Sequence, residues 1–141
     1  MKDYLDKKIA DFKKYYNVQH HLSTYCNNDC DLNRRWKKDF NQIQNQWQDI
    51  SSISKMQEYV DMYSSIVERC NDAKGIFIES YDMNLALYRA IKAIEKVANC
   101  YDRDGFDFNE FGQDEIDKLF AKLYYWTKEM QNISFRRSVQ D

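Results

Sequence analysis

His20, His21, Cys26 and Cys30 bring two imidazoles and two thiols, the groups zinc prefers, into one short stretch. Structural zinc sites usually carry paired ligands two to four residues apart on each of two arms. Here a second arm exists only if Cys70 or Cys100 folds back, so the four side chains are read as unligated. A second stretch, Asp102-Arg103-Asp104-Gly105-Phe106-Asp107-Phe108-Asn109-Glu110, alternates carboxylates before a glycine, as calcium loops do. Its register fails. With Asp102 as first ligand, Gly105 stands two places early and Gln113 occupies the position of the bidentate glutamate; with the glycine aligned, Cys100 comes first and Phe111 last. Neither metal is expected, and no other cofactor has a motif.

Catalytic patterns are no better represented. The chain has no nucleophile elbow, phosphate-binding loop, dinucleotide fingerprint or His-Glu-x-x-His zinc motif. Histidines at 20 and 21 alone cannot supply the two separated Glu-x-x-His pairs of a di-iron bundle. No serine or cysteine has a base evident in the sequence, so the chain is not expected to be an enzyme.

Charge is more informative. Residues 102–117 hold seven carboxylates (Asp102, Asp104, Asp107, Glu110, Asp114, Glu115, Asp117) against Arg103, a local charge of −6. Residues 1–38 hold nine cations and five carboxylates, a local charge of +4. The whole-chain charge of −2 conceals this dipolar arrangement. Phe106, Phe108 and Phe111 interrupt the acidic run, and aromatic centres within charged rims are the composition of binding hot spots. The competing reading has them plug the end of the fold while the acids solvate the turn. Arg34-Arg35-Trp36-Lys37-Lys38 could contact phosphates, although Trp36 belongs to an apolar stripe and its neighbouring cations then form a solvated face.

The elements that must position these groups are helices. Apolar residues recur every three or four positions through a chain with no proline. Leu5, Ile9, Phe12 and Tyr16 predict a helix over 3–17, and whether Val18 to Leu22 prolongs it stays open. Asn27, Asn28 and Asp29 predict a loop from Ser23 to Asp31, because such side chains compete with helical hydrogen bonds. Leu32, Trp36, Phe40, Ile43, Trp47 and Ile50 form a second stripe, with Asp31 or Asn33 as its cap. Ser54-Lys55-Met56-Gln57 reads as a capping box for a third helix carrying Met56, Val60, Tyr63, Val67 and Cys70, with Gly75 as its stop. Ile76-Phe77-Ile78 is too short to decide between strand, connector and helix. Asp82 reads as the cap of a fourth helix, whose wide face of Leu87, Tyr88, Ile91, Ile94, Val97 and Ala98 suggests packing on two sides. Gln113 or Asp114 opens a fifth, with Ile116, Leu119, Phe120, Leu123, Met130 and Ile133 inward and a frayed tail at 134–141.

The expected fold is an all-α single domain spanning 1–141, a four- or five-helix bundle. Its core should include Trp36, Phe40, Ile43, Trp47, Val60, Val67, Ile91, Ile94, Leu119 and Leu123. Charges at Lys2, Asp3, Asp6, Lys7 and Lys8 occupy the place of a signal peptide's apolar run, and no stretch approaches about 18 uncharged apolar residues. The chain therefore reads as cytoplasmic, without membrane insertion, with its four cysteines as thiols.

The functional expectation is a protein-binding module. It would present Asp102, Asp104, Phe106, Asp107, Phe108, Glu110, Phe111, Asp114, Glu115 and Asp117 to a basic surface on a protein partner, as an inhibitor of the immunity or anti-defence type. Abundant Lys, Asn, Ile and Tyr suit an AT-rich coding sequence and hence a phage, viral or mobile-element origin. The alternative is a nucleic-acid-binding subunit of a nucleoprotein assembly using Lys7, Lys8, Lys13, Lys14 and the Arg34–Lys38 cluster.

Overall fold

The computed structural model describes the backbone of residues 1–28, 30–46, 50–72, 80–101 and 108–140, and their side chains except at 25–28, 30–33, 46, 72 and 137–140. All regular structure in these residues is helical: α1 Lys2–Tyr15, α2 Val18–Asn28, α3 Cys30–Gln46, α4 Ile53–Asp72, α5 Ser80–Asn99 and α6 Gln113–Gln140. The all-α expectation holds.

The first helix buries Leu5 and Phe12, with Asp3 in its first turn and Lys13 and Lys14 in its last, where each sign suits the helix dipole. It ends because Tyr16 turns extended, at φ −144° and ψ 110°. Asn17 then starts α2 by accepting the His20 backbone N–H on its side-chain oxygen at 3.0 Å, an N-cap. Val18 to Leu22 thus belong to a new helix.

The loop expected from Ser23 to Asp31 gives way to helix in Val18–Asn28, with helix again from Cys30. Two causes are visible. Ser23 and Thr24 turn their hydroxyls onto the His20 carbonyl at 2.8 and 3.0 Å, within the helix. Val18 and Leu22 are buried, so tertiary packing outweighs a modest helix propensity. Because α3 already begins at Cys30, Asp31 and Asn33 fall inside the helix and not at its N-cap position.

Two other caps move. The α4 helix begins at Ile53, and it is Ser52 whose hydroxyl accepts the Lys55 N–H at 3.0 Å, in place of a box at Ser54. The α5 helix begins at Ser80, leaving Asp82 in its first turn, where it pairs with Arg35 instead of capping. The last helix runs to Gln140, so helical backbone continues through the stretch expected to fray. Gly75 and Ile76-Phe77-Ile78 lie outside the described residues.

Packing centres on α5, which contacts α1, α2, α4 and α6. Ala86, Ala90, Ala93 and Ala98 let neighbours approach it, while Leu87, Ile94 and Val97 supply fully buried volume. The central helix anticipated from its wide apolar face is therefore present. Of the expected core, Ile43, Val60, Val67, Ile91, Ile94, Leu119 and Leu123 are buried, and Trp36 and Phe40 pack half-buried against them. Trp47 lies outside the described residues. Three links pair polar groups inside the bundle: the Tyr16 hydroxyl donates to Asn84 Oδ1 at 2.6 Å, Asn84 Nδ2 donates to the Ser80 carbonyl at 2.8 Å, and Tyr63 and Thr127 share a hydroxyl hydrogen bond at 2.9 Å. Among the described residues, no helix is long and apolar enough to cross a membrane.

Candidate functional site

The acidic segment leads into α6. Its anchors turn inward: Phe111 is only 2% exposed, and half-buried Phe108 sets its ring 4.2 Å from that of Tyr101. The Phe111 N–H donates to the Phe108 carbonyl at 3.0 Å, closing a turn that holds both rings toward the core. Phe111 is thus a plug of the bundle end and not the exposed contact residue its place in the acidic run suggested.

The carboxylates divide by task. Asp117 accepts a hydrogen bond from the Tyr4 hydroxyl and lies 3.6 Å from Lys8, fastening α6 to α1; this bond to Asp117 raises the Tyr4 pKa above its ordinary value. Glu115 accepts the Gly112 N–H at 3.1 Å, capping α6, and Asp114 beside it favours the positive helix end. Glu110, Asp114 and Glu115 are exposed. Asp102, Asp104, Phe106 and Asp107 lie outside the described residues.

The basic residues divide similarly. Lys8 faces Asp117, Lys13 Nζ lies 2.5 Å from Glu95, and Arg35 pairs with Asp82 and approaches Asp39 at 3.6 Å. Lys7, Lys14, Arg34, Lys37 and Lys38 are exposed. His20 and His21 occupy α2, with the His21 ring stacked on Tyr16 at 4.7 Å and 4°. Burial, then the neighbouring His20, lowers the His21 pKa. The Cys26 and Cys30 side chains lie outside the described residues, while Cys70 and Cys100 are buried. Among the described residues, no three His, Cys, Asp or Glu side chains gather as a metal site.

A feature that sequence reasoning missed lies along α5. Two adjoining hollows of about 190 and 200 Å³ share Gln19, Tyr88 and Lys92. Phe40, Ile43 and Gln44 of α3 complete the first; Lys13, Tyr16, Asn17, Val18, Ile91 and Glu95 complete the second. Tyr88 packs against Phe40 at 5.5 Å and Trp36 at 6.0 Å, with Lys92 Nζ 5.4 Å from its ring centre. Glu95 sits between two lysines, 2.5 Å from Lys13 and 3.4 Å from Lys92. Burial, then the Glu95 charge, pushes the Tyr88 phenol up to about 12. Lys92 and Glu95, one and two turns beyond Tyr88 on a face otherwise apolar, were the visible signal; their neighbours from α1, α2 and α3 were not.

No family model, curated protein or solved structure gives a significant match to this chain.

Proposed function

We propose that this protein is a binding module that presents the acidic entrance of α6 to a basic surface on a protein partner, blocking that surface as an inhibitor does. The observation supporting the reading is the division of labour in the segment. Phe108 and Phe111 pack toward the core while Glu110, Asp114 and Glu115 remain exposed on the turn they hold. A fixed acidic rim loses little freedom on docking and attracts an opposite charge from a distance. Pairing of Lys8, Lys13 and Arg35 with carboxylates weakens the phosphate-contact alternative, since these cations are already partly neutralised.

Affinity capture from the native host, read by mass spectrometry, tests the proposal with two charge-reversed baits. One carries Glu110→Lys and Asp114→Lys; the other carries Asp102→Lys, Asp104→Lys and Asp107→Lys. A protein partner retained by the parent and lost by either bait supports the reading. Equal recovery by all three folded baits overturns it. Capture of nucleic acid that is abolished by replacing Lys7, Lys14, Arg34, Lys37 and Lys38 would favour the nucleoprotein alternative.

A further inference from the structure

Tyr88 is 4% exposed, lines both hollows along α5, and its hydroxyl has no hydrogen-bond partner among the described residues. The Tyr16 and Tyr63 hydroxyls are held by other side chains, whereas that of Tyr88 is not sealed from solvent and stands open to a ligand. The two hollows differ in chemistry. One has an apolar wall of Phe40 and Ile43; the other offers Lys13 and Asn17; Lys92 stands where they meet. Ligand sites usually enclose roughly 300–1,000 Å³, mostly apolar with a few placed polar groups. Either hollow alone falls short of that volume, whereas a molecule spanning both reaches it.

The charge arrangement selects the sign of the ligand. Glu95 is engaged most closely by Lys13, in a contact whose angles fall short of an aligned hydrogen bond. Lys92 holds Glu95 only at 3.4 Å and is 29% exposed, a loose pair whose lysine can turn at little cost. Glu95 stays neutralised by Lys13 when Lys92 leaves it. We propose that this cleft binds a small planar aromatic oxyanion, its ring against Phe40 and Ile43 and its phosphate or carboxylate held by Lys92 and the Tyr88 hydroxyl. The site is separate from the acidic rim and stands whether or not that rim binds a protein.

The test is titration of the full chain with AMP, phenyl phosphate and indole-3-carboxylate, followed by amide NMR and calorimetry, with adenosine and inorganic phosphate as half-ligand controls. At least one aromatic oxyanion should bind about tenfold more tightly than either control, with shifts centred on Phe40, Tyr88 and Lys92. Lys92→Gln and Tyr88→Phe should each weaken it by roughly tenfold, the loss expected for one hydrogen bond to a charged group, while leaving the thermal midpoint unchanged. Absence of cleft shifts with all three probes overturns the proposal, as does binding that neither variant weakens. A single-stranded tetranucleotide bound through the cleft far more tightly than AMP would also overturn it, by assigning the site to nucleic acid.

Discussion

The acidic entrance of α6 and the cleft along α5 are built in opposite ways. At the entrance, neighbours in sequence do most of the work: Phe108 and Phe111 anchor the turn, Glu115 caps the helix, and Glu110 and Asp114 are left to solvent, with only Asp117 tied to distant Tyr4 and Lys8. At the cleft, α1, α2, α3 and α5 each contribute, and no single stretch of sequence defines it. The entrance can change its charge without disturbing the core, because its rim and its anchors are different residues. The cleft cannot separate these roles so cleanly, since Tyr16 and Tyr88 are both wall and core.

The comparison breaks first at Phe111. Replacing it with Ala should cost about 3–5 kcal/mol in chemical denaturation, the penalty for removing a buried phenylalanine. A cost under 1 kcal/mol would mean that the ring is not a plug and that the entrance has no anchor. Tyr16→Phe sharpens the other side. Asn84 Oδ1 would lose its donor at 2.6 Å, and a buried acceptor left unmade costs about 1–3 kcal/mol. No change in the denaturation midpoint would show that the polar link under the cleft is dispensable.

A smaller effect belongs to His21. Its folded pKa lies below the ordinary 6.5, so the unfolded chain binds the proton more readily. The contribution of neutral His21 is complete above that ordinary value and is lost as pH falls toward and through the lowered folded pKa. Parent stability should therefore decline on acidification, and His21→Phe should remove part of the slope. Identical slopes in parent and variant would detach the histidine from the Tyr16 stack.

The same contrast explains what was readable in the sequence. The stripes of α1, α4, α5 and α6 were legible because burial of one helical face demands a three-to-four spacing, and Leu5, Val60, Ile94 and Leu123 obey it. The α2 helix was misread because Asn27 and Asn28 carry a loop signal locally, while the helix that buries Leu22 packs on α5, which no local window contains. Asn17, the cap that starts α2, was a signal available but unused. The acidic rim was legible as charge, but its division into exposed and structural members depends on Tyr4 and Lys8, more than a hundred residues before Asp117. Gln19, Phe40 and Tyr88 meet only through tertiary packing, so the cleft left no pattern in the chain.

Steering by the acidic rim is the central claim, and the association rate reads it most directly. With the captured partner immobilised, binding of the parent and of the Glu110→Lys, Asp114→Lys variant is followed by surface kinetics across a range of salt. The account predicts a fall in kon of about tenfold or more for the variant at low salt, a gap that narrows as salt screens the charge, and little change in koff. An unchanged kon at every salt concentration, with the variant folded, would contradict it.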